Sequence, residues 1–357
     1  MKIIIIGGVA GGASAAARLR RLDEQAEIII LERGEFVSFA NCGLPYYIGG
    51  EITNKNALTL QTPQSFKARF NIDVRTKNEV IEIDPKSNVV TVKDLSDESV
   101  YLETYDKLIL SPGAEPIKPL IDGMNCDTVF TLRNIPDTVK IKRYIDENNP
   151  KSVIVVGGGY IGVEMAENLK MAGLDVTIVE LADHLIASLD FDMAADVHKY
   201  LADKGVKLIF NNGVKSIAKE SKSLIVTLQN GEISADMLIM AVGVRPETVL
   251  AKECGIRLNP RGAIVTDKHM KTNVHDIYAV GDAVEIENFV TKQPGFIPLA
   301  GPANKQGRVA ADNICGTSSE YMGTQGSAIV KIFDMTVATT GLNEKSAGDS
   351  EIIYDKT

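Results

Sequence analysis

The sequence predicts an α/β fold that contains two copies of one unit, made of a strand, a glycine-rich turn, a helix and a second strand. In the first copy, residues 2–6 form a short apolar run that leads into the turn GGVAGG, an alanine-rich helical stretch and a strand at 27–33. In the second copy, residues 152–156 lead into GGGYIG, a helical stretch and a strand at 175–180. Strands that alternate with helices indicate parallel sheets.

The glycines of these turns predict that each unit binds a dinucleotide. A pyrophosphate is attracted to the N-terminus of a helix, where N–H groups lack partners and the helix dipole favours negative charge. In a GxGxxG turn the first glycine makes the bend, the second lets backbone approach phosphate, and the third lets the helix pack closely on the strand. The second unit has this complete pattern at Gly157, Gly159 and Gly162. We therefore expect two Rossmann-like domains.

The turn of the first unit is incomplete, because Val9 stands between Gly7 and Gly12. An acid at the end of the next strand supports both units: Glu32 lies 20 residues beyond Gly12, and Glu180 lies 18 beyond the last glycine of the second turn. A carboxylate there accepts hydrogen bonds from ribose hydroxyls. The alternative is that both turns merely join a strand to a helix and that the acids are exposed strand ends. Two copies that share turn, helix and acid favour dinucleotide binding.

Glu180 also bears on the choice of nicotinamide cofactor. A carboxylate at this position repels a 2′-phosphate, and no Arg or Lys follows it until Lys199. The sequence therefore favours NADH over NADPH.

Composition excludes several other classes of function. The 357 residues suffice for two or three domains, and the net charge of −9 argues against nucleic-acid or anionic-membrane binding through bulk electrostatics. The apolar run Ile3–Ile6 is too short for a signal peptide or a membrane span, so we expect a cytoplasmic protein. The four cysteines form no CxxC pair and no histidine lies near them at ligand spacing. We expect neither a disulfide scaffold nor a metal.

Three further segments resemble the pyridine nucleotide–disulfide oxidoreductase superfamily, in its order and spacing: LILSPGAEP at 108–116, LIMAVGVRPE at 238–247 and TNVHDIYAVGD at 272–282. The resemblance covers nearly the whole chain and implies FAD- and NAD-binding domains of the disulfide-reductase type, plus the start of an α+β interface domain. It implies an FAD-binding domain in two segments, 1–112 and 245–321, an inserted NAD(P)H-binding domain at 113–244, and an incomplete interface domain at 322–357.

The resemblance also implies individual cofactor contacts. Asp282 would bind the ribityl chain of the flavin, although an aspartate after a glycine can also simply cap a following helix. Tyr160 would cover the nicotinamide face of the flavin until NADH enters; it could equally pack the start of its helix. The implied cofactor-binding residues are Gly7, Val9, Ala10, Gly11, Gly12, Glu32, Arg33, Val80, Ser111, Gly113, Arg133, Gly157, Gly159, Tyr160, Ile161, Gly162, Glu180, Gly243, Gly281, Asp282, Leu299 and Ala300.

Cys42, in SFANCGLPYYIGG, is the predicted catalytic residue. Pro45 suits the first turn of a helix, which would place Cys42 at or just before a helix N-terminus. Free N–H groups and the helix dipole would there lower the pKa of the thiol and favour the thiolate, the form that attacks disulfides. The alternative is a buried cysteine that acts as a small hydrophobic side chain. The surrounding glycine, proline and asparagine argue against a core strand.

Departures from the superfamily's patterns narrow the resemblance. Glutathione- and lipoamide-type reductases have a CxxxxC pair, but Tyr47 occupies the second position here, which excludes an internal redox disulfide. Single-cysteine NADH peroxidases and oxidases usually have a histidine in the first glycine turn, where this chain has Ala10. The string SFANCGLPYY closely resembles coenzyme A–disulfide reductases, including forms related to CoA-persulfide reductases.

This resemblance implies a two-part reaction. NADH would reduce the flavin, the reduced flavin would cleave a mixed disulfide between Cys42 and CoA, and the Cys42 thiolate would then attack CoA disulfide. Arg18 and Arg21 lie three residues apart on one helix face and could bind CoA phosphates, or could simply be a solvated surface. The implied CoA contacts are Ser14, Arg18, Arg21, Ser38, Asn41 and Asn304.

Three alternatives stay open at this point. The first is an NADH oxidase or peroxidase in which Cys42 cycles through a sulfenic acid. The second is a flavoprotein that reduces a small iron–sulfur protein, with Cys42 inert. The third is a flavin-binding scaffold without turnover.

The last residues predict the beginning of the interface domain. GSAIVKIFDMTVATTG at 326–341 is expected to form its first strand, NEKSAG a short helix, and EIIYD at 351–355 another strand. The resembled enzymes dimerise through this domain. Because most of it is absent from the sequence, we expect a truncated domain, which puts the homodimer in doubt.

Overall fold

A computed structural model describes residues 1–221 and 223–348. In chain order its helices are α1 Ala10–Leu22, α2 Leu44–Gly49, α3 Pro63–Phe70, α4 Ile135–Asn148, α5 Tyr160–Met171, α6 Phe191–Asp203, α7 Val249–Glu253, α8 Ala300–Ile314 and α9 Glu344–Ala347. Short 3₁₀ turns at Asn41–Gly43 and Lys55–Leu58 accompany them.

The strands, in chain order, are β1 Lys2–Ile6, β2 Glu27–Glu32, β3 Asp73–Thr76, β4 Asn78–Asp84, β5 Val89–Asp94, β6 Val100–Thr104, β7 Lys107–Leu110, β8 Ala114–Pro116, β9 Val129–Phe130, β10 Ser152–Val156, β11 Asp175–Val179, β12 Lys207–Ile209, β13 Val214–Glu220, β14 Ser223–Leu228, β15 Glu232–Ala235, β16 Met237–Met240, β17 Val244–Pro246, β18 Ile277–Ala279, β19 Ile286–Glu287, β20 Pro294–Gly295, β21 Ala328–Ile332 and β22 Met335–Thr339.

The chain divides into two compact units. The first comprises Met1–Ala40, Thr59–Glu115 and Arg245–Thr324. The second comprises Asn41–Leu58, Pro116–Val244 and the residues from Gln325 onward. In this division the segment that carries Cys42, and the strands β21 and β22, group with the second unit.

The first unit is built on a parallel sheet of order β18-β7-β1-β2-β3. Successive side chains of a strand point to opposite faces, and both faces of this sheet are covered. Ile3 and Ile5 therefore belong to a core with helices α1 and α8, whereas Ile4 and Ile6 belong to a second core with the antiparallel strands β4–β6. Burial on both sides explains why β1 is an uninterrupted apolar run.

The second unit repeats this plan with a parallel sheet of order β12-β11-β10-β16-β9. The strand β10 takes the central place that β1 has in the first unit, and β13–β15 form an antiparallel sheet like β4–β6. Ile154 and Val156 pack against Leu224 and Val226 of that sheet. The predicted pair of parallel α/β units is thus confirmed.

The predicted single strand at 326–341 is wrong, because this segment forms an antiparallel hairpin. Strand β21 pairs with β22, with Ile332 opposite Met335, so only two residues make the turn. Phe333 takes a positive φ of 52° there, in the left-handed region that tight hairpin turns require. The short helix α9 lies within the predicted NEKSAG segment. The predicted strand at 351–355 lies outside the described residues.

None of the helices formed by residues 1–221 and 223–348 combines the length and apolarity that crossing a membrane requires.

Candidate functional site

The first glycine turn, in the first unit, leaves no room for side chains at its outer positions. Gly7 has a φ of 95°, and a Cβ atom there would lie 2.1 Å from the carbonyl oxygen of Ser111. A Cβ atom on Gly12 would lie 1.9 Å from the carbonyl oxygen of Gly7. Helix α1 begins at Ala10 directly after Val9, whose side chain makes no capping hydrogen bond. The turn thus presents the start of a helix closely packed on its strand, as a pyrophosphate site requires.

The acid of the first unit is held by this turn. The Glu32 carboxylate accepts hydrogen bonds from the backbone N–H groups of Gly8 (2.9 Å) and Gly34 (2.7 Å). The next residue, Arg33, forms a two-pronged ion pair with the Glu247 carboxylate. Glu32 therefore has the fixed orientation that recognition of a ribose needs, whereas the predicted cofactor residue Arg33 is engaged with a protein carboxylate.

Several of the other predicted flavin-site residues meet at this turn. The Ser111 hydroxyl oxygen lies 2.8 Å from the point where Gly11 would carry a Cβ atom, and 3.5 Å from the corresponding point on Gly281. Gly113 has a positive φ of 77° and its carbonyl oxygen accepts the N–H of Glu247. Val80 does not join this group through its side chain, which is buried in the second core of the unit.

Asp282 lies in a turn, and no helix follows it directly. Residues 281–284 form a turn closed by the Val284 N–H and the Gly281 carbonyl oxygen, and the next helix, α8, starts at Ala300 after its N-cap Leu299. The alternative in which Asp282 caps a following helix is therefore wrong. The Gly281 N–H donates to the buried Gln306 side chain of α8 at 2.7 Å.

Helix α8 packs closely against α1. A Cβ atom on Gly307 would lie 2.4 Å from the carbonyl oxygen of Gly11, so only glycine fits at this crossing. Neither Gln306 nor Gly307 was identified from the sequence. The available signal is a pair of small residues four positions apart in a helical stretch, Ala303 and Gly307, and that signal does not identify a partner helix.

Two of the three predicted CoA-binding residues of α1, Ser14 and Arg18, have partners in α8. The Ser14 hydroxyl donates to the Asn304 side chain at 2.7 Å, and the Arg18 guanidinium pairs with Asp312 at 2.7 Å. Arg21 is exposed to solvent. The face of α1 is therefore less basic than RLRR suggests, because Asp312 offsets the charge of Arg18. Ser38 has a φ of 45°, and its N–H donates a hydrogen bond to the carbonyl oxygen of Gly8 in the first glycine turn.

The second glycine turn, in the second unit, reproduces the first. Gly157 has a φ of 105° and its Cβ atom would lie 2.4 Å from the Ala241 carbonyl oxygen; that of Gly162 would lie 1.9 Å from the Gly157 carbonyl oxygen. A Cβ atom on Gly159 would meet open space, so the middle glycine leaves room for a ligand. The Glu180 carboxylate accepts the N–H groups of Gly158 and Ala182.

The remaining predicted residues of the second unit lie on several different elements. The Tyr160 hydroxyl hydrogen-bonds with the hydroxyls of Ser188 (2.7 Å) and Thr339 (3.0 Å). Ile161 is partly exposed at the start of α5. Gly243, with a φ of 107°, lies between strands β16 and β17. Arg133 precedes Asn134, the N-cap residue of α4, and its N–H donates to the Asp137 carboxylate.

Cys42 lies in the short 3₁₀ turn Asn41–Gly43, immediately before α2. Pro45 occupies the first turn of α2, as predicted. Both Asn41 and Cys42 are exposed, and Cys42 forms no disulfide. The interpretation of Cys42 as a buried hydrophobic side chain is therefore wrong, because the residue as a whole is exposed.

The expected lowering of the Cys42 pKa is not produced by the chain's own groups. Burial of the sulfur by neighbouring atoms raises its pKa, the Glu164 carboxylate raises it further, and the backbone hydrogen bond that lowers it is the smaller influence. Helix α2 has only six residues, so its dipole is weak. Glu164 was not identified from the sequence, since its influence depends on the packing of α5.

Each glycine turn, taken by itself, fits a dinucleotide. Both have a closely packed helix start, outer positions that admit only glycine, and an acid fixed by backbone N–H groups of the turn. Within residues 1–221 and 223–348, no group of three or more histidine, cysteine or acidic side chains is arranged to hold a metal ion.

Comparison with known proteins gives consistent results. A family profile described as pyridine nucleotide-disulphide oxidoreductase matches residues 1–307. The chain is 38% identical to an NADH oxidase of Methanocaldococcus jannaschii, over 97% of this chain and 77% of that protein. It is 36% identical to the coenzyme A disulfide reductase of Staphylococcus haemolyticus, over 96% of this chain and 76% of that protein.

A solved structure described as reduced Bacillus anthracis CoADR-RHD is similar to this chain over 97% of its length, with a TM-score of 0.94 and 51% sequence identity. The present chain spans 62% of that longer one.

Proposed function

Because this chain belongs to the pyridine nucleotide-disulphide oxidoreductase family, we propose that it uses NADH and FAD to reduce CoA disulfide, or a CoA persulfide, through Cys42. The family confirms the predicted fold class and the predicted pairing of FAD with a pyridine nucleotide. The substrate, the role of Cys42 and the preference for NADH are parts of the proposal.

The observation that carries the proposal is the exposed Cys42 in a chain that resembles a coenzyme A disulfide reductase over nearly its whole length. A reductase with an internal disulfide needs a second cysteine close to the first, and position 47 is a tyrosine. A single protein sulfur is sufficient when the substrate supplies the other sulfur.

In this proposal the first glycine turn holds FAD, with Glu32 on its ribose, and the second holds NADH, with Glu180 on the adenosine ribose. When bound, the two cofactors supply a hydride and pass on its electron pair. The Cys42 thiolate attacks one sulfur of CoA disulfide, forms a Cys42–CoA mixed disulfide and releases one CoA thiolate. Two electrons then break the mixed disulfide, restore the Cys42 thiolate and release the second CoA thiolate.

The proposal is tested by anaerobic turnover with NADH and CoA disulfide, with free CoA and NADH both measured. We expect two CoA molecules for each NADH oxidised. The similarity to an NADH oxidase favours one alternative, in which oxygen or peroxide accepts the electrons. NADH oxidation that requires either of these acceptors and releases no CoA would exclude the proposal and support that alternative.

Arg18 and Asp312 provide a prediction about CoA binding. If Arg18 binds a CoA phosphate, Arg18→Ala raises KM for CoA disulfide about tenfold, the loss expected for a hydrogen bond to a charged group. Asp312→Ala keeps the guanidinium and removes the carboxylate that competes for it, so KM should stay equal or fall. Steady-state kinetics of both variants distinguish this role from a structural one, since an ion pair that only stabilises the helices predicts the same outcome for both.

A further inference from the structure

The segment between β11 and α6, called here the 181–190 loop, packs directly on the second glycine turn. The Ile186 N–H donates to the carbonyl oxygen of Gly158 at 2.8 Å, and a Cβ atom on Gly158 would lie 2.3 Å from the Leu185 side chain. Near its start, the loop donates a backbone N–H to the Glu180 carboxylate at 2.8 Å. The position of the loop therefore bears on the backbone of the turn and on the acid beside it.

The 181–190 loop is held in a strained conformation. Ile186 has a φ of 53°, in the left-handed region that β-branched residues rarely adopt. A residue keeps such a conformation only where its surroundings impose it. Leu185 and Ile186 are both buried, and the Leu185 N–H donates to Nε2 of His198 on α6 at 3.0 Å. Contacts of this kind determine where the loop lies, and removing one of them should let it relax.

The chain that follows the hairpin supplies further contacts to the same loop. Asn343 donates from Nδ2 to the carbonyl oxygen of Ala187 at 3.1 Å, and the Glu344 N–H donates to the Asp190 carboxylate at 2.8 Å. The same asparagine caps α9 through Oδ1, which accepts the Ser346 N–H at 3.0 Å. The two polar atoms of the Asn343 amide therefore have separate partners, one in the helix and one in the loop.

A bridge of three hydroxyl groups adds to these contacts. The hydroxyl of Tyr160, the first residue of α5, lies 2.7 Å from the Ser188 hydroxyl and 3.0 Å from the hydroxyl of Thr339 in β22. Tyr160 directly follows Gly159, the middle glycine that leaves open space in the turn. The start of α5, the 181–190 loop and the end of the hairpin therefore meet at one side chain.

We propose that Asn343 and Thr339 are positioning residues for the pyridine nucleotide, which act by holding the 181–190 loop against the second glycine turn. The loop in turn orients the Glu180 carboxylate, which the proposed function places on the adenosine ribose of NADH, so the inference rests on that assignment. Without these contacts the strained loop relaxes, and binding of NADH has to restore its position. Loss of such preorganisation weakens binding of the ligand and leaves the chemistry of the bound complex unaltered.

The experiment compares Asn343→Ser with the wild type in the anaerobic reduction of bound FAD by NADH, followed by stopped-flow absorbance. Serine caps a helix about as well as asparagine, but its shorter side chain carries no amide group. We expect the apparent Kd for NADH to rise about fivefold, the effect of one lost hydrogen bond, with an unchanged limiting rate of flavin reduction. An unchanged Kd, with or without a lower limiting rate, would overturn the proposal.

Hydrogen exchange, measured by mass spectrometry on the peptide that contains the 181–190 loop, tests the intermediate step. In Asn343→Ser this peptide should exchange faster than in the wild type, because the loop has lost one of its contacts. A rise in the Kd for NADH without faster exchange would mean that Asn343 acts by another route, and would overturn the proposal.

Ser346→Ala is the matched control, because it removes the other half of the α9 capping box and leaves the Asn343 amide in place. Its Kd for NADH should equal that of the wild type. A rise equal to that of Asn343→Ser would mean that the helix cap, not the contact with the loop, is responsible, and would contradict the proposal.

If Asn343→Ser does not retain FAD, Thr339→Val takes its place. It should raise the Kd for NADH about threefold, since the Tyr160 hydroxyl keeps its Ser188 partner. Thr336→Val is the control, because Thr336 is exposed on the other face of the same strand and its replacement should leave the Kd unchanged. Equal Kd values for the two variants would overturn the proposal.

Gly162→Ala, measured in the same assay, separates this inference from the proposed function. If it raises the Kd for NADH while Asn343→Ser does not, the second turn binds NADH and only this inference fails. If it leaves the Kd unchanged, the assignment of NADH to the second turn fails, and this inference fails as well. Neither result depends on CoA disulfide, because the assay follows only the reduction of the flavin.

Discussion

Replacement of Cys42 by serine is expected to lower CoA release from CoA disulfide by at least about a thousandfold. A serine hydroxyl is scarcely ionised at neutral pH and cannot form the mixed disulfide. Neither glycine turn contains Cys42, so the variant should bind FAD normally and its flavin should still be reduced by NADH. Stopped-flow absorbance follows the reduction of the flavin by NADH, and a thiol assay follows the release of CoA, so the two half-reactions are measured separately.

The matched controls are Cys126→Ser, Cys254→Ser and Cys315→Ser, each of which removes a half-buried thiol. All three should keep turnover close to the wild type. If Cys42→Ser turns over normally with an added electron acceptor, the sulfur is inert and the protein passes electrons directly to another partner.

Gly12→Ala and Gly162→Ala are expected to have opposite effects on the two cofactors. Each places a methyl group 1.9 Å from the carbonyl oxygen of the first glycine of its own turn, so the helix start must move away from its strand. Overpacking of this kind costs about 1–3 kcal/mol, which corresponds to a loss of about fivefold to 150-fold in affinity. Gly12→Ala should lose FAD during purification. Gly162→Ala should retain FAD but require far more NADH to reduce it.

Flavin absorbance of the purified protein and the NADH dependence of flavin reduction provide the readouts. Retention of FAD by Gly12→Ala together with its loss from Gly162→Ala would mean that the assignment of the two turns is reversed. Circular dichroism identifies a variant that has simply failed to fold.

The features that could be predicted from the sequence are those encoded within one short segment. The Gly157–Gly162 turn, its preceding strand and Glu180 lie within 30 residues, and their spacing alone specifies a turn against a helix start. Likewise Pro45 correctly indicated that α2 begins just after Cys42.

The features that could not be predicted arise between distant segments. Arg18 and Asp312 are separated by 294 positions, and a basic stretch gives no sign that an acid neutralises it. The pKa of Cys42 follows from burial and from Glu164 rather than from the start of its own short helix. The sequence predicts one strand rather than a hairpin at 328–339 because the turn, Phe333–Asp334, lacks the glycine or asparagine that usually indicates a hairpin turn.

The central claim is that Cys42 is the sulfur that exchanges with CoA. Its most direct test is the intact mass of the protein with its thiols first reduced and the reductant removed, measured after one equivalent of CoA disulfide, before and after mild reduction, with the modified peptide identified. We expect one CoA-sized adduct, on Cys42, that reduction or NADH removes. An unmodified Cys42, an adduct on another cysteine, or a gain of only one oxygen on Cys42 would contradict the claim.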